Sequence, residues 1–191
     1  MDEASGIDTP PRLRRFVDAL EPLLDAGEAL IVERGAALLR ELLAHDDWLP
    51  PQAAQPDLQY YRQYLLYRDP AARFSVVSFV WGPGQSTPIH DHTVWGLIGL
   101  LRGAEVSQDY RRRSDGTLEP DGPPLRLEAG AVTAVSPALG DIHQVCNAYD
   151  DRVSIGIHVY GADIAAVERS IYHLDGGCKP FRSGYANANA S

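Results

Sequence analysis

The chain is short of several things. No run of 18 or so apolar residues occurs among its 191, so no segment is expected to cross a bilayer as a helix. It has only two cysteines, Cys146 and Cys178. They show no CxxC spacing and cannot build a disulfide framework. Cys146 reads as a core thiol and Cys178, after Gly176-Gly177, as part of a turn. Positive charge is also scarce: 17 Lys and Arg stand against 26 Asp and Glu, a net charge of −9. Nucleic acid and an anionic membrane surface are therefore not expected as partners, since both reward a basic patch. The one basic cluster, Arg111-Arg112-Arg113, lies beside Asp115 and Gly116 and reads as a solvated turn. The stretch Met1 to Pro11 lacks the basic start and apolar core of a signal peptide, which makes a cytoplasmic protein the expectation. No repeat of fixed period is present.

What the chain does have is an ordinary globular composition, 45% hydrophobic and 23% charged, in a length that fits one domain. From Arg12 to Trp48 the apolar residues follow helical spacing, with Leu13, Phe16, Val17, Leu20 and Leu24 first, then Leu30, Ala37, Leu38, Leu42 and Leu43. Pro50-Pro51 ends that pattern. Pro56 to Tyr67 reads as a short third piece, possible as helix. Beyond Asp69-Pro70 the character changes to short β-type segments: 74–81, 90–101, 105–110, 125–127, 131–135, 143–147, 153–160, 170–174 and 179–182. Turn signals at Gly82-Pro83-Gly84, Asp115-Gly116, Asp121-Gly122 and Asp175-Gly176-Gly177 separate several of them. The expected fold is mainly β, a barrel or sandwich, with residues 1–69 as a helical cap packed on it. Residues 70–185 form the barrel, and 186–191 a frayed tail, within one structural domain.

Six histidines occur. His90 and His92 are two apart, and on a strand such residues share a face about 5–7 Å apart, close to the bite of a single metal ion. Gly84, His90 and His92 make Gly-x5-His-x-His. Gly140, His143 and Asn147 make Gly-x2-His-x3-Asn, with Pro137 ahead of them. These resemble the two signature motifs of the cupin superfamily, jelly-roll (double-stranded β-helix) barrels whose interior binds a metal. Most cupins add a glutamate ligand shortly after the second histidine, but Gly96 and Leu97 stand there. The resemblance thus implies a site of three neutral imidazoles, His90, His92 and His143. Such a site leaves the full charge on the ion and coordination positions open. His45, at a helix end, and His173, in a hairpin, lack partners at metal spacing and read as structural.

The stretch Pro88-Ile89-His90-Asp91-His92-Thr93-Val94-Trp95-Gly96, followed by Arg102-Gly103, resembles the bacterial thiol dioxygenases, the cysteine dioxygenase and 3-mercaptopropionate dioxygenase family. The likeness runs from about Tyr60 to Arg182. It implies a cupin barrel with an N-terminal helical cap and one iron(II) per chain. It also implies an oxidoreductase that adds both atoms of dioxygen to a small thiol to give a sulfinate.

Residue by residue, the family's Ser-x-His-x-Tyr relay maps onto Gly156, His158 and Tyr160. The histidine and tyrosine carry over and the serine does not. Gly96 replaces the cysteine that crosslinks to this tyrosine in animal members, so no thioether is expected. Gln63 stands where those members carry a carboxylate-binding arginine. Arg169 matches a different arginine that holds the carboxylate in the 3-mercaptopropionate group. This implies 3-mercaptopropionate as preferred substrate, L-cysteine second, and mercaptosuccinate a third option left open by Arg62 and Arg68. Plainer readings stay open: His158 and Tyr160 as core residues with satisfied hydrogen bonds, and Arg169 as a surface partner of Asp163 or Glu168. A zinc-dependent hydrolase or isomerase is the rival chemistry for three histidines. A non-enzymatic cupin is a third possibility.

Overall fold

The computed structural model describes residues 8–188. The chain enters with helix α1 (Pro11–Leu20), whose proline sits at the first helical position, where no intrahelical N–H is needed. A 3-10 turn, Glu21–Ala26, leads to α2 (Glu28–Leu30), a π-turn at Ile31–Gly35, and α3 (Ala36–Leu43). Leu13, Phe16, Val17 and Leu20 of α1 are buried, as are Ala36, Leu39, Leu42 and Leu43 of α3. A short 3-10 turn at Pro51–Ala54 closes the helical part. Among the described residues no helix is long and apolar enough to cross a membrane.

Among the described residues twelve strands follow: β1 (Arg62–Arg68), β2 (Ser75–Trp81), β3 (Ile89–His90), β4 (Gly96–Arg102), β5 (Ala104–Arg112), β6 (Leu118–Pro120), β7 (Leu125–Glu128), β8 (Val132–Val135), β9 (His143–Asn147), β10 (Ser154–Tyr160), β11 (Arg169–Tyr172) and β12 (Cys178–Phe181). One antiparallel sheet runs β1-β2-β10-β4-β8. The other runs β12-β11-β3-β9-β5-β6, with β7 also on β5. The two sheets alternate along the chain, as in a double-stranded β-helix.

Both β2 and β10 are buried along their whole length, and the alternation of side chains explains why. Val76 and Val80 of β2, with Ile155, Ile157 and Val159 of β10, point outward into one core with α1 and α3. Val77, Phe79 and Trp81, with Tyr160, point inward into a second core between the sheets. The helical cap thus turns a sheet with one wet face into one buried on both, which is why these strands read as unbroken apolar runs. Gly99 of β4 is the contact point: a Cβ there would lie 2.6 Å from Leu43 Cδ1 and 3.0 Å from Leu39 Cδ2.

Four expectations need correction. Of residues 56–67, read as possible helix inside a cap of residues 1–69, 62–67 belong to strand β1, paired along β2. The backbone ladder outweighs the weak helical pattern there. The segment 90–101 is not one strand. It ends at His90 in one sheet and resumes at Gly96 in the other, through Thr93 at φ +59°. Cys178 opens β12 instead of lying in a turn. The tail from Tyr185 is docked up to Ala188. The Tyr185 hydroxyl donates to Asp163 (2.6 Å), the Ala186 N–H to the Gln63 carbonyl (2.7 Å), and Asn187 exchanges bonds with the Leu65 N–H and carbonyl (2.9 and 3.0 Å). That segment covers the open edge of β1. Residues 189–191 lie outside the described residues.

Replacing Gly99 with valine should lift α3 from the sheet and destabilise the protein by about 1–3 kcal/mol, read as a lowered urea midpoint. An unchanged midpoint would mean the cap adjusts freely.

Candidate metal centre

His90 closes β3 and pairs directly with His143, the first residue of β9. His92 lies beyond the strand, so strand alternation does not aim it. Asp141 does that work. Its carboxylate accepts from the His92 and Thr93 backbone N–H groups (3.1 and 2.8 Å), and its other oxygen meets His92 Nδ1 at 3.1 Å. One acidic side chain therefore fixes both the turn and the ring.

The three rings form a regular cluster. Each pair of centroids is 4.9 Å apart, and all three residues are buried. One nitrogen from each lies within 4.8 Å of the others. The Nδ1 atoms are engaged outward: His90 with the Pro88 carbonyl (3.0 Å), His92 with Asp141, and His143 with Ser107 Oγ (3.1 Å). A carbonyl can only accept, as can an ionised carboxylate, so Nδ1 carries the proton in His90 and His92 and Nε2 is left as a lone-pair donor. Burial lowers the pKa of all three, His90 to about 4 and the other two well below the usual imidazole range. They are neutral, as metal ligation requires. This donor set fits a divalent ion bound by three imidazoles, with no carboxylate.

Beside the cluster, the Tyr160 ring stacks on His92 at 5.3 Å and 20°. Its hydroxyl lies 3.0 Å from His158 Nδ1. Burial pushes the phenol well above its ordinary range, so it keeps its proton. His158 stacks on Phe79 at 4.2 Å and is driven down to about 3 by burial, with His90 adding to the effect. Gly96 lies against Tyr160: a Cβ there would stand 3.0 Å from its Cδ1. With no sulfur at that position, nothing links to the tyrosine.

Gln63, Arg169, His90, Phe79, Phe181 and Ser183 line a common cavity of about 680 Å³. Arg169, on β11, is 4% exposed. It stacks over Phe181 at 4.5 Å and donates to Ser183 Oγ at 2.5 Å, while its Nε has no protein partner. The surface pairing with Asp163 or Glu168 does not form: Asp163 meets Arg68, and Glu168 meets Arg182. Gln63 Oε1 is likewise buried without a partner. No aspartate or glutamate lines the cavity among the described residues.

No family model matches the chain. Solved structures are similar in architecture. A cupin superfamily protein from Desulfitobacterium hafniense is 15% identical, with 62% of this chain and 94% of that one covered and a TM-score of 0.46. A Cupin 2 conserved barrel domain protein from Salinispora arenicola is 22% identical, with 62% and 90% covered and a TM-score of 0.44. A recombinant oxalate oxidase in complex with glycolate is 15% identical, with 47% and 42% covered and a TM-score of 0.38. By its own strand order the fold is a double-stranded β-helix of the cupin type. At these identities the likeness extends to fold at most.

Sequence reasoning missed Asp141 and Ser107. Asp141 is two residues before His143, but nothing local marks it, because its target lies 49 residues earlier. Tyr61, in the cavity wall with Gln63, stacks on Phe79 and tilts against Trp81 behind it.

His92→Ala should abolish stoichiometric metal uptake. Asp141→Ala should weaken it by roughly ten- to hundredfold while leaving the fold intact. Both are read by competition with a chelator of known affinity, and unchanged metal content in His92→Ala would remove the site.

Proposed function

We propose that the protein is a non-haem iron(II) thiol dioxygenase that converts a small carboxylate-bearing thiol to its sulfinate, with 3-mercaptopropionate preferred. The observation that carries this reading is a buried guanidinium without an ion-pair partner among the described residues, in the same cavity as His90 of the three-histidine cluster. A cation held this way is costly until an anion meets it. A carboxylate is the matching group, since Arg169 presents a planar fork of donors.

Bound iron(II) would draw the sulfur in as thiolate and supply the redox chemistry that lets dioxygen react. The chain's own residues do the rest. Arg169 holds the carboxylate, with its orientation set by Phe181 beneath it and Ser183 beside it. Gln63 offers a further polar contact from β1. Tyr160, protonated and fixed against His92, presents an O–H to the reacting atoms. The net change adds dioxygen to the thiol to give the sulfinate and one proton, so no further reductant is needed. Holding both reactants in one place is the main source of rate.

The preference among thiols follows from charge. An amino acid brings an ammonium group, and among the described residues no acid lines the cavity to meet it. That disfavours L-cysteine relative to 3-mercaptopropionate. Mercaptosuccinate would need a second cation, yet Arg62 pairs with Asp57 and Arg68 with Asp163.

Dioxygen uptake is measured after anaerobic iron(II) loading with each thiol, and products are weighed by mass spectrometry. A gain of two oxygen atoms on 3-mercaptopropionate is expected. No uptake with bound iron would remove the dioxygenase reading and leave zinc chemistry to be tested on the same three histidines. Arg169→Gln should lower kcat/KM for 3-mercaptopropionate by roughly ten- to thousandfold, in line with lost charge-assisted bonds. It should not further impair cysteamine, which has no carboxylate.

A further inference from the structure

The inward face of β10 carries Gly156, His158 and Tyr160 in step. His158 gives its Nδ1 to Tyr160, and its Nε2 is buried with no protein partner. Across the barrel, at the start of β5, Glu105 is fully buried. Its Oε1 accepts from Trp81 Nε1 at 2.7 Å, and its Oε2 is also without a partner. Burial raises this carboxyl to about 8, so it is mostly neutral at pH 7 and able to donate. Two orphaned polar groups in one dry core are rare.

These groups meet over Gly156. A Cβ at that position would stand 2.6 Å from His158 Nε2 and 2.7 Å from Glu105 Oε1. Any side chain there would be driven into both. A small cavity of about 70 Å³, lined by Glu105, Ser107 and His143, adjoins the carboxyl and has room for a water. Glycine at 156 and a carboxyl at 105 are therefore one arrangement: the acid occupies space that a residue-156 side chain would need.

We propose that Glu105 is the positioning residue that holds the outer nitrogen of His158, in place of the relay serine absent at position 156. The inference rests on the reading of Tyr160 as the hydroxyl that faces the reacting atoms. The carboxyl donates from Oε2 to Nε2 across one water, since the two atoms make no direct hydrogen bond. That leaves the imidazole proton on Nδ1, which donates to the Tyr160 oxygen. The phenol proton is then directed toward the metal side, where a substrate oxygen or sulfur can accept it. Trp81 keeps the acid in place by occupying its other oxygen.

The test reads the imidazole itself. In the zinc-loaded full chain labelled with nitrogen-15 histidine, the His158 signals are assigned by their loss in His158→Gln. Wild type should show one neutral tautomer protonated at Nδ1. Glu105→Gln should keep it, because the amide oxygen can accept from Trp81 while its N–H donates to Nε2 across the same water. Glu105→Leu and Gly156→Ala, the latter wedging a methyl between the pair, should each shift the signals toward a mixture. In the iron-loaded enzyme Glu105→Leu should lose about ten- to hundredfold in kcat with little change in KM, and Glu105→Gln should recover most of it. Unchanged His158 signals in both Glu105→Leu and Gly156→Ala would overturn the pairing, as would a glutamine variant as impaired as the leucine one. Tautomer shifts in a protein that consumes no dioxygen would uphold the pairing and overturn the dioxygenase reading instead.

Discussion

Three imidazoles cannot be buried side by side unless all are neutral and each has its second nitrogen satisfied. The interior of this barrel is organised around that requirement. Pro88, Asp141 and Ser107 each take one Nδ1, from three different parts of the chain. The remaining nitrogens converge because every other direction is occupied. Burial then holds the rings in the neutral form. Metal affinity in such a site comes from the pinning as much as from the ligands.

The same economy governs the rest of the cavity. Polar groups in a dry interior carry a penalty unless paired. Most here are paired: Asn147 donates to the Gly82 and Arg152 carbonyls, and its oxygen accepts from Ser154 and Tyr149. Apart from Thr9 Oγ1, the exceptions cluster. Gln63, Arg169, His158 and Glu105 each keep a buried atom without a partner. Two of these residues line the cavity that opens to solvent, and the side chains of the other two close over Gly156. Unsatisfied groups gathered on either side of a ligand cluster are better explained by chemistry than by packing.

The helical cap contributes indirectly. By covering the outer faces of β2, β10 and β4 it makes that sheet rigid on both sides. His158 and Tyr160 hang from the central strand of that sheet, while His90 and His143 hang from the other and His92 from the turn that follows β3. The distance between relay and ligand cluster is thus a distance between two packed sheets, which a well-filled core holds constant.

Much of this was legible in one dimension. Helical spacing marked the cap, short β-type segments marked the barrel, and the positions of His90, His92 and His143 marked the candidate ligand cluster. The strand β9 was legible to the residue, because alternation and burial agree there. Local pattern failed where a partner far along the chain decides the outcome. Residues 62–68 became strand because β2 lay waiting beside them, and the tail stayed attached because Asn187 found an open backbone edge. His92 was placed correctly for a reason that does not hold, since the strand ends at His90 and Asp141 sets its aim. The sequence by itself determined which residue types were available to bind a metal and a carboxylate. Only the tertiary structure decided which of them converge, that Arg169 is buried instead of paired at the surface, and that Glu105 stands opposite His158. These are contacts between sheets, and the spacing of residues along a strand carries no information about what lies across a barrel.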